Sequence, residues 1–451
     1  MHRYTDETDH VARMLIELAR WRTKVDPIPL GHPLSPAELQ QATGPTITAA
    51  GIGGDEALRI FRDVIANASL SIDHPRYLAF VPCAPTEYAI LADLLVSSFA
   101  IYGGSWLEGA GAVHAENQAL RWLADLAGMP PGAGGCFVAG GTNGNLSALV
   151  AARNTARLRR PPGGAARPRW SILCAESAHS SVHSAANVMD VEIVTTPVDE
   201  RGMLTGPLVD TAIRGTTSEV FAVVATAGTT NAGLVDELDS IALACKAHGA
   251  WFHVDGAYGG AGLAAPSVRA RFNGIEHADS FVVDPHKWLF APFDCSALLY
   301  RDPSLGRAAH TQHASYLEPL GENDPWNPSD FAIHLTRRAR GLPFWFSLAA
   351  NGSDAYRDAV ETTLTVARAA AARIRALPHL ELVRDPVLSV VLFRRRGWSN
   401  EEYQMWSDQL LRDGTGLVVP TEYEGKCALR LCIVNPRTSY DDIDTILRTL
   451  A

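Results

Sequence analysis

The sequence predicts an α/β protein with a central, mostly parallel seven-stranded sheet flanked by helices, an N-terminal arm and a small C-terminal α+β domain. Three observations predict it. Seven short apolar runs alternate with helical stretches from about residue 135 onward. Several runs are nearly continuous in Val, Ile, Leu and Phe, as strands covered on both faces tend to be. Hydrophobic residues make up 47% of 451, ample for a large core.

The elements follow in chain order. Apolar positions at Val11, Met14, Leu15, Leu18 and Trp21 have helical spacing, and a second helical pattern runs through Leu58, Phe61, Val64 and Ile65. Between them, residues 27–54 are punctuated by Pro and Gly and read as irregular. Residues 1–70 therefore form a helical arm whose apolar stripes need another surface. The strand-like runs are Cys136–Ala139, Ser171–Ala175, Val191–Thr195, Val220–Ala227, Trp251–Val254, Phe281–Val283 and Ser296–Tyr300. They place an α/β domain over residues 71–343. Residues from about 303 to 330 have little periodicity and read as a long functional loop. A helical pattern from Val360 to Leu377, strand-like pieces at Leu388–Phe393 and Leu429–Val434, an intervening helix and a last helix make residues 344–451 a separate domain.

Composition narrows the partners. The net charge is −10 with no basic block, which argues against nucleic acid and anionic membrane surfaces. The first residues lack an apolar signal-peptide core, and the charge-free stretch 126–152 is too rich in Gly and Pro for a membrane span. Seven cysteines without close pairing suggest reduced thiols in the cytoplasm. Cys427 and Cys432, five apart in an apparent strand, fall on opposite faces, so no metal site is expected.

The cations are unevenly distributed: four lysines stand against thirty-five arginines. Arginine stays protonated, whereas lysine can lose its proton and act as an amine nucleophile. Lys24, Lys246 and Lys426 lie in polar surroundings. Lys287, in Val282-Val283-Asp284-Pro285-His286-Lys287-Trp288, follows an apolar strand. Burial there is expected to lower its pKa and favour the free amine that Schiff-base chemistry requires.

In open α/β sheets ligands gather at the carboxyl ends of strands, and four further features fall there. Asp255 ends the run Trp251–Val254, about one helix and one strand before Lys287; a carboxylate so placed can keep a pyridine nitrogen protonated. Ala257 is small enough to lie beneath a flat ring. Gly140-Gly141-Thr142-Asn143-Gly144-Asn145 sits between a strand and a helix, where backbone N–H groups and a hydroxyl can cradle a phosphate. It has neither the Walker A nor the dinucleotide glycine spacing. His179 follows the strand Ser171–Ala175, as a helix-entry residue or a ring-stacking group, and Thr226 lies near the end of another strand. A phosphate site, a stacking group, an acid and an amine at successive strand ends suit one cofactor, pyridoxal 5′-phosphate (PLP).

In these motifs the chain resembles the group II PLP-dependent amino-acid decarboxylases, of which aromatic-L-amino-acid decarboxylase is the familiar member. The resemblance rests chiefly on His253–Tyr258, Asp284–Trp288 and Phe293–Ala297, with Ala178–Val182 and Tyr102–Trp106 in support. It implies fold type I of the PLP enzymes and a homodimer with the active site at the interface and the arm packed on the partner. It also implies roles. Lys287 carries the cofactor, Asp255 pairs with the pyridine nitrogen, and His179 stacks on the ring. Gly141, Thr142 and His286 hold the phosphate, Ala257 lies under the ring, and Thr226 is nearby. Tyr316, in the long loop, protonates Cα after CO2 leaves. Phe80, Val81, Trp106, Gly104, Ser180 and Arg430 fall to the substrate side.

Some positions depart from the aromatic-acid members. Val81 and Gly104 stand where those enzymes tend to carry phenylalanine, which implies a roomier or reshaped pocket. Asp284 stands where asparagine is often found; it either pairs with a cation or stays protonated. Arg430 reads equally as a carboxylate-binding group and as a strand-end arginine. The implied activity is decarboxylation of an L-amino acid. Decarboxylation-coupled oxidative deamination to an aldehyde and C–S β-elimination of a cysteine conjugate are the alternatives, and retained Tyr316 and His179 favour the first.

Overall fold

The computed structural model describes residues 2–160, 169–321 and 326–451, apart from the side chains of Tyr316 and Pro319. The N-terminal segment folds into α1 (Asp6–Lys24), α2 (Pro36–Thr43) and α3 (Gly54–Ile60), the last continuing as a π-helical turn, Phe61–Ile65. Helix α2 lies in the stretch expected to be irregular. Its signal is local: Ser35 and Glu38 form a reciprocal capping box, and Pro36 occupies the first turn, where its missing N–H costs nothing. None of the residues of α1 is buried, and Leu15, Ile16 and Trp21 are about half exposed. Helices α4 (Glu87–Ser98) and α5 (Trp106–Leu126) precede the sheet.

The central sheet contains β1 (Gly134–Val138), β2 (Trp170–Ala175), β3 (Glu192–Thr196), β4 (Glu219–Thr226), β5 (Trp251–Asp255), β6 (Ser280–Val283) and β7 (Ser296–Tyr300), in the order β1-β7-β6-β5-β4-β2-β3. β7 runs antiparallel to both neighbours, and the other six strands all point the same way. The seven expected strands are all present, with ends shifted by at most two residues. Strands β1, β5, β6 and β7 are buried along their whole length, and in β5 that burial takes in His253 and Asp255. The crossovers between parallel strands carry α-helices, among them α6 (Gly141–Leu158) and α7 (Ser180–Met189), except β5–β6, where three short 3-10 turns stand in place of the expected helix. Gly144 lets α6 approach the sheet closely, since a Cβ there would stand 2.8 Å from a Val282 methyl.

The segment expected to be a structureless loop from about 303 opens instead with a helix, Pro303–His310. Asp302 caps it by accepting the Ser304 N–H, and Pro303 fills its first turn. Irregular chain and short 3-10 turns follow. Helix Leu342–Asn351 packs on α4 and α5, and the C-terminal region packs helices Ser353–Ala376, Asn400–Arg412 and Tyr440–Arg448 around a four-stranded antiparallel sheet of β8 (Leu380–Leu382), β9 (Val390–Arg395), β10 (Pro420–Tyr423) and β11 (Lys426–Cys432), ordered β10-β11-β9-β8. Among the described residues all seven cysteines are free, no cluster could hold a metal, and no helix is long and apolar enough to cross a membrane.

Candidate active site

The carboxyl ends of β4, β5 and β6 meet the N-terminus of α6. Thr226 and Asp255 are register partners on β4 and β5, and Asp255 pairs in turn with Val282 of β6. Five residues beyond Val282, the single-turn helix Pro285–Trp288 presents Lys287. Its backbone is fixed by a hydrogen bond from Lys287 N–H to the Asp284 carbonyl (2.9 Å). Behind it Trp288 is fully buried, stacked on Tyr258 at 5.3 Å, and donates its indole N–H to Thr363 (2.9 Å). The lysine is therefore mounted on core packing rather than on a loop.

Lys287 Nζ lies 2.8 Å from Asp284 Oδ2, and its side chain is 24% exposed against 1% for Asp284. Burial alone would lower the lysine pKa, but the Asp284 carboxylate overrides it and raises the pKa above the ordinary value. The expected lowering of the lysine pKa is thus corrected: the buried Asp284 counter-ion favours the ammonium form. Burial pushes Asp284 up, yet Lys287 and His286 hold it below the usual carboxylate range. Asp284 is an ionised partner of a cation. Its Oδ1 has no hydrogen-bond partner among the described residues.

The glycine turn meets this group. A Cβ on Gly141 would stand 3.0 Å from Ala257 Cβ and 3.1–3.2 Å from the Asp284 carboxylate oxygens, and one on Gly140 would touch the His286 ring. Gly141, Ala257, Asp284, His286 and Lys287 thus line one recess at the start of α6, and Thr142 beside them is exposed. His286 accepts the Cys295 N–H (2.9 Å), and burial lowers its pKa, with Asp284 opposing. Asp255 is buried; its Oδ1 accepts the Ala257 N–H (3.1 Å) and its Oδ2 accepts from the Asn145 amide (2.8 Å). His179 is exposed at the N-cap of α7, where its Nδ1 accepts the Ser181 N–H (3.2 Å), and Ser180 beside it is also exposed.

The substrate-side residues are less uniform. Arg430, on β11, donates to the carbonyls of Thr230 and Phe80, the latter at 3.1 Å. It braces Phe80, whose backbone has φ 54° and whose ring is exposed. Val81 is partly buried against the main core. Trp106 opens α5 and donates its backbone N–H to Asn327 (2.8 Å). The open space expected at Gly104 is not there: a Cβ would stand 2.4 Å from the Tyr102 hydroxyl oxygen and 2.5–2.7 Å from its ring. A neighbouring tyrosine fills that volume. The side chain of Tyr316 lies outside the described residues.

Several residues of the recess escaped the sequence reading. Asn145 sits one helical turn after Gly141, hence on the same face of α6. His253 is two residues before Asp255, hence on the same face of β5. Ser181 and Ser280 complete their hydrogen bonds. Asp236, fully buried and pushed up to about 7 by burial despite accepting two backbone N–H groups, anchors Thr226 through its N–H (2.7 Å).

A lysine, an acid on the adjacent parallel strand and a glycine turn opening a helix, all at one sheet edge, define a PLP-dependent α/β enzyme. The residues present suit the cofactor: the Lys287 side chain is 24% exposed, Asp284 beside it keeps a buried oxygen without a partner among the described residues, and on the adjacent strand the buried carboxylate of Asp255 is tied to the Ala257 N–H. A family model, the pyridoxal-dependent decarboxylase conserved domain, matches residues 47–396. An aromatic-L-amino-acid decarboxylase of Bacillus atrophaeus is 30% identical over 434 residues, covering 93% of this chain and 89% of that protein. An L-2,4-diaminobutyrate decarboxylase of Rhizobium meliloti is 32% identical over 392 residues, covering 84% and 78%. Among solved structures, Oryza sativa TDC with PLP and tryptamine superposes with a TM-score of 0.92 at 22% identity, covering 100% and 99% of the two chains; it speaks for the fold. This chain belongs to the pyridoxal-dependent decarboxylase family, and it is a PLP-dependent carboxy-lyase acting on amino acids.

Proposed function

We propose that the protein decarboxylates an L-amino acid to the corresponding amine, as a cytoplasmic homodimer. The observation that carries this reading is the placement of Lys287 beside Asp255, Ala257 and Gly141 at the sheet edge. Bound PLP supplies an electron sink for the pair released when the bond from Cα to the carboxylate breaks. Lys287 would hold the cofactor through its amine, Asp255 would face the pyridine nitrogen, and Ala257 and His179 would border the ring. The N–H groups of Gly141 and Thr142, with His286, would receive the phosphate. Tyr316 would return a proton to Cα, and Phe80, Val81, Trp106, Ser180 and Arg430 would border the substrate.

The homodimer is supported by a broad apolar surface. Tyr88, Leu91, Leu94 and Leu95 of α4, Phe99 just after it and Leu107 of α5 are 48–74% exposed, and α1 adds Leu15, Ile16 and Trp21. A surface this apolar marks an interaction site, and a second copy would cover it. Light scattering of the purified protein tests this, with a mass of two chains expected and one chain contradicting it.

Incubating the enzyme in air with a panel of amino acids and cysteine conjugates tests the reaction. Amine with stoichiometric CO2 is the expected product. Aldehyde with peroxide, or thiol with pyruvate, as the main product would overturn the assignment in favour of oxidative deamination or β-elimination.

A further inference from the structure

Two buried side chains, Asn145 and Ser181, link Asp255 to His179, while His253, Ser280 and Trp251 back Asn145 from the other side, and the partners dictate where the protons sit. A carboxylate only accepts, so the Asn145 group facing Asp255 Oδ2 at 2.8 Å is its NH2. The second amide proton goes to Ser181 Oγ at 2.9 Å. Asn145 Oδ1 therefore accepts, and its partner His253 Nε2, at 3.0 Å, carries a proton. On the far side Trp251 donates its indole N–H to Ser280 Oγ (2.8 Å), and with the one ring proton on Nε2 the bare His253 Nδ1 accepts the Ser280 hydroxyl (2.7 Å). Burial lowers the His253 pKa to about 4, so the ring stays neutral around pH 7 and this pattern holds. Toward solvent, Ser181 Oγ has received the amide proton, and its own goes to His179 Nδ1 at 2.9 Å. That nitrogen also accepts the Ser181 backbone N–H.

We infer that Asn145 and His253 are positioning residues of the active site: together they aim the Asp255 carboxylate and, through Ser181, fix His179 as the tautomer protonated on Nε2. The inference rests on the reading that Asp255 and His179 border the cofactor. Strand geometry explains the cluster, because Trp251, His253 and Asp255 share one face of β5 and Asn145 shares the Gly141 face of α6. Asn145, Ser181, His253 and Ser280 are each at most 3% exposed. A buried network with every donor and acceptor filled specifies one arrangement.

The test uses nitrogen-15 NMR of histidine-labelled protein without cofactor, together with pH titration of the holoenzyme's cofactor absorbance. In the wild type, His179 is expected to show one bare Nδ1 and one protonated Nε2. Ser181→Ala removes the hydroxyl donor at 2.9 Å and leaves only the backbone N–H at 3.2 Å on Nδ1, so the share of the Nε2-protonated tautomer of His179 should fall while the thermal midpoint stays within a few degrees. Asn145→Asp places a second carboxylate against Asp255, so the cofactor absorbance should gain a titration that the wild type lacks. His253→Gln keeps a donor to Asn145 and should preserve the wild-type spectrum, whereas His253→Leu should not. Mixed His179 tautomers in the wild type, an unchanged His179 in Ser181→Ala, or identical absorbance titrations for Asn145→Asp and wild type would each overturn the inference. Failure of the cofactor to attach at Lys287 would instead overturn the reading beneath it, and the NMR arm is read without cofactor.

Discussion

Asp284 Oδ2 lies 2.8 Å from Lys287 Nζ, one helical turn away, and the carboxylate is almost wholly buried. The protein thus stores its one strand-end lysine as an ion pair at the mouth of the recess that Gly141 opens. Breaking a buried pair by removing one partner exposes the cost of burying the other, so the pair governs when the amine becomes available.

Asp284→Asn removes the main counter-ion, so burial, which lowers the lysine pKa, is opposed chiefly by the weaker pull of Asp255. The pH profile for capture of PLP by the cofactor-free protein should therefore move to lower pH. Each unit of displacement corresponds to about tenfold more free amine at a given pH below the pKa. Stopped-flow absorbance across pH 6–10 measures it, and coincident profiles for variant and wild type would rule out control by Asp284.

Tyr316→Phe should lower amine formation by about 10²–10⁴-fold, the usual size of a general-acid contribution, and raise the share of aldehyde formed in air. Mass spectrometry of both products reads the ratio. Amine output equal to wild type would remove Tyr316 from the reaction.

Gly104→Ala should disturb the protein through Tyr102 rather than by narrowing a cavity, because the new methyl would meet the Tyr102 ring. Overpacking of this kind typically costs about 1–3 kcal/mol. Combining it with Tyr102→Ala, which empties the same volume, should recover much of the loss. Thermal unfolding of the single and double variants decides it, and strictly additive losses would show that the two positions do not share space.

Acid should destabilise the fold below pH 6.5. Burial lowers His74, His253 and His334 to about 4. Their contribution is fully present above the unfolded value near 6.5 and is lost as pH falls towards 4, because the unfolded chain binds these protons first. Urea unfolding from pH 7.5 to 4.5 should show stability falling with pH, and His74→Gln should shallow that slope. A flat profile across the range would contradict the burial of these rings.

The strands were legible because each is a buried apolar run bounded by turn residues, and the chemistry-bearing Lys287, Asp255 and Gly141 were legible because each sits at a strand end. Three things were not. Helices α2 and Pro303–His310 are only eight residues each, too short for a periodic pattern to stand out, and the readable signals were the Ser35–Glu38 capping box, the Asp302 N-cap and the two first-turn prolines. The ion pair of Lys287 depends on which way the buried Asp284 turns, so burial alone gave the wrong direction for the lysine. The Asn145–His253 network is made by long-range contacts between α6, α7, β5 and β6. Only its strand half, His253 two residues before Asp255, has a periodicity that sequence displays.

The most direct measurement is borohydride reduction of the purified holoenzyme followed by peptide mass spectrometry. The account predicts a reduced phosphopyridoxyl group on the peptide containing Lys287, and no cofactor absorbance or labelling in Lys287→Ala. Labelling at Lys24, Lys246 or Lys426 in place of Lys287, or a coloured and reducible Lys287→Ala, would contradict it.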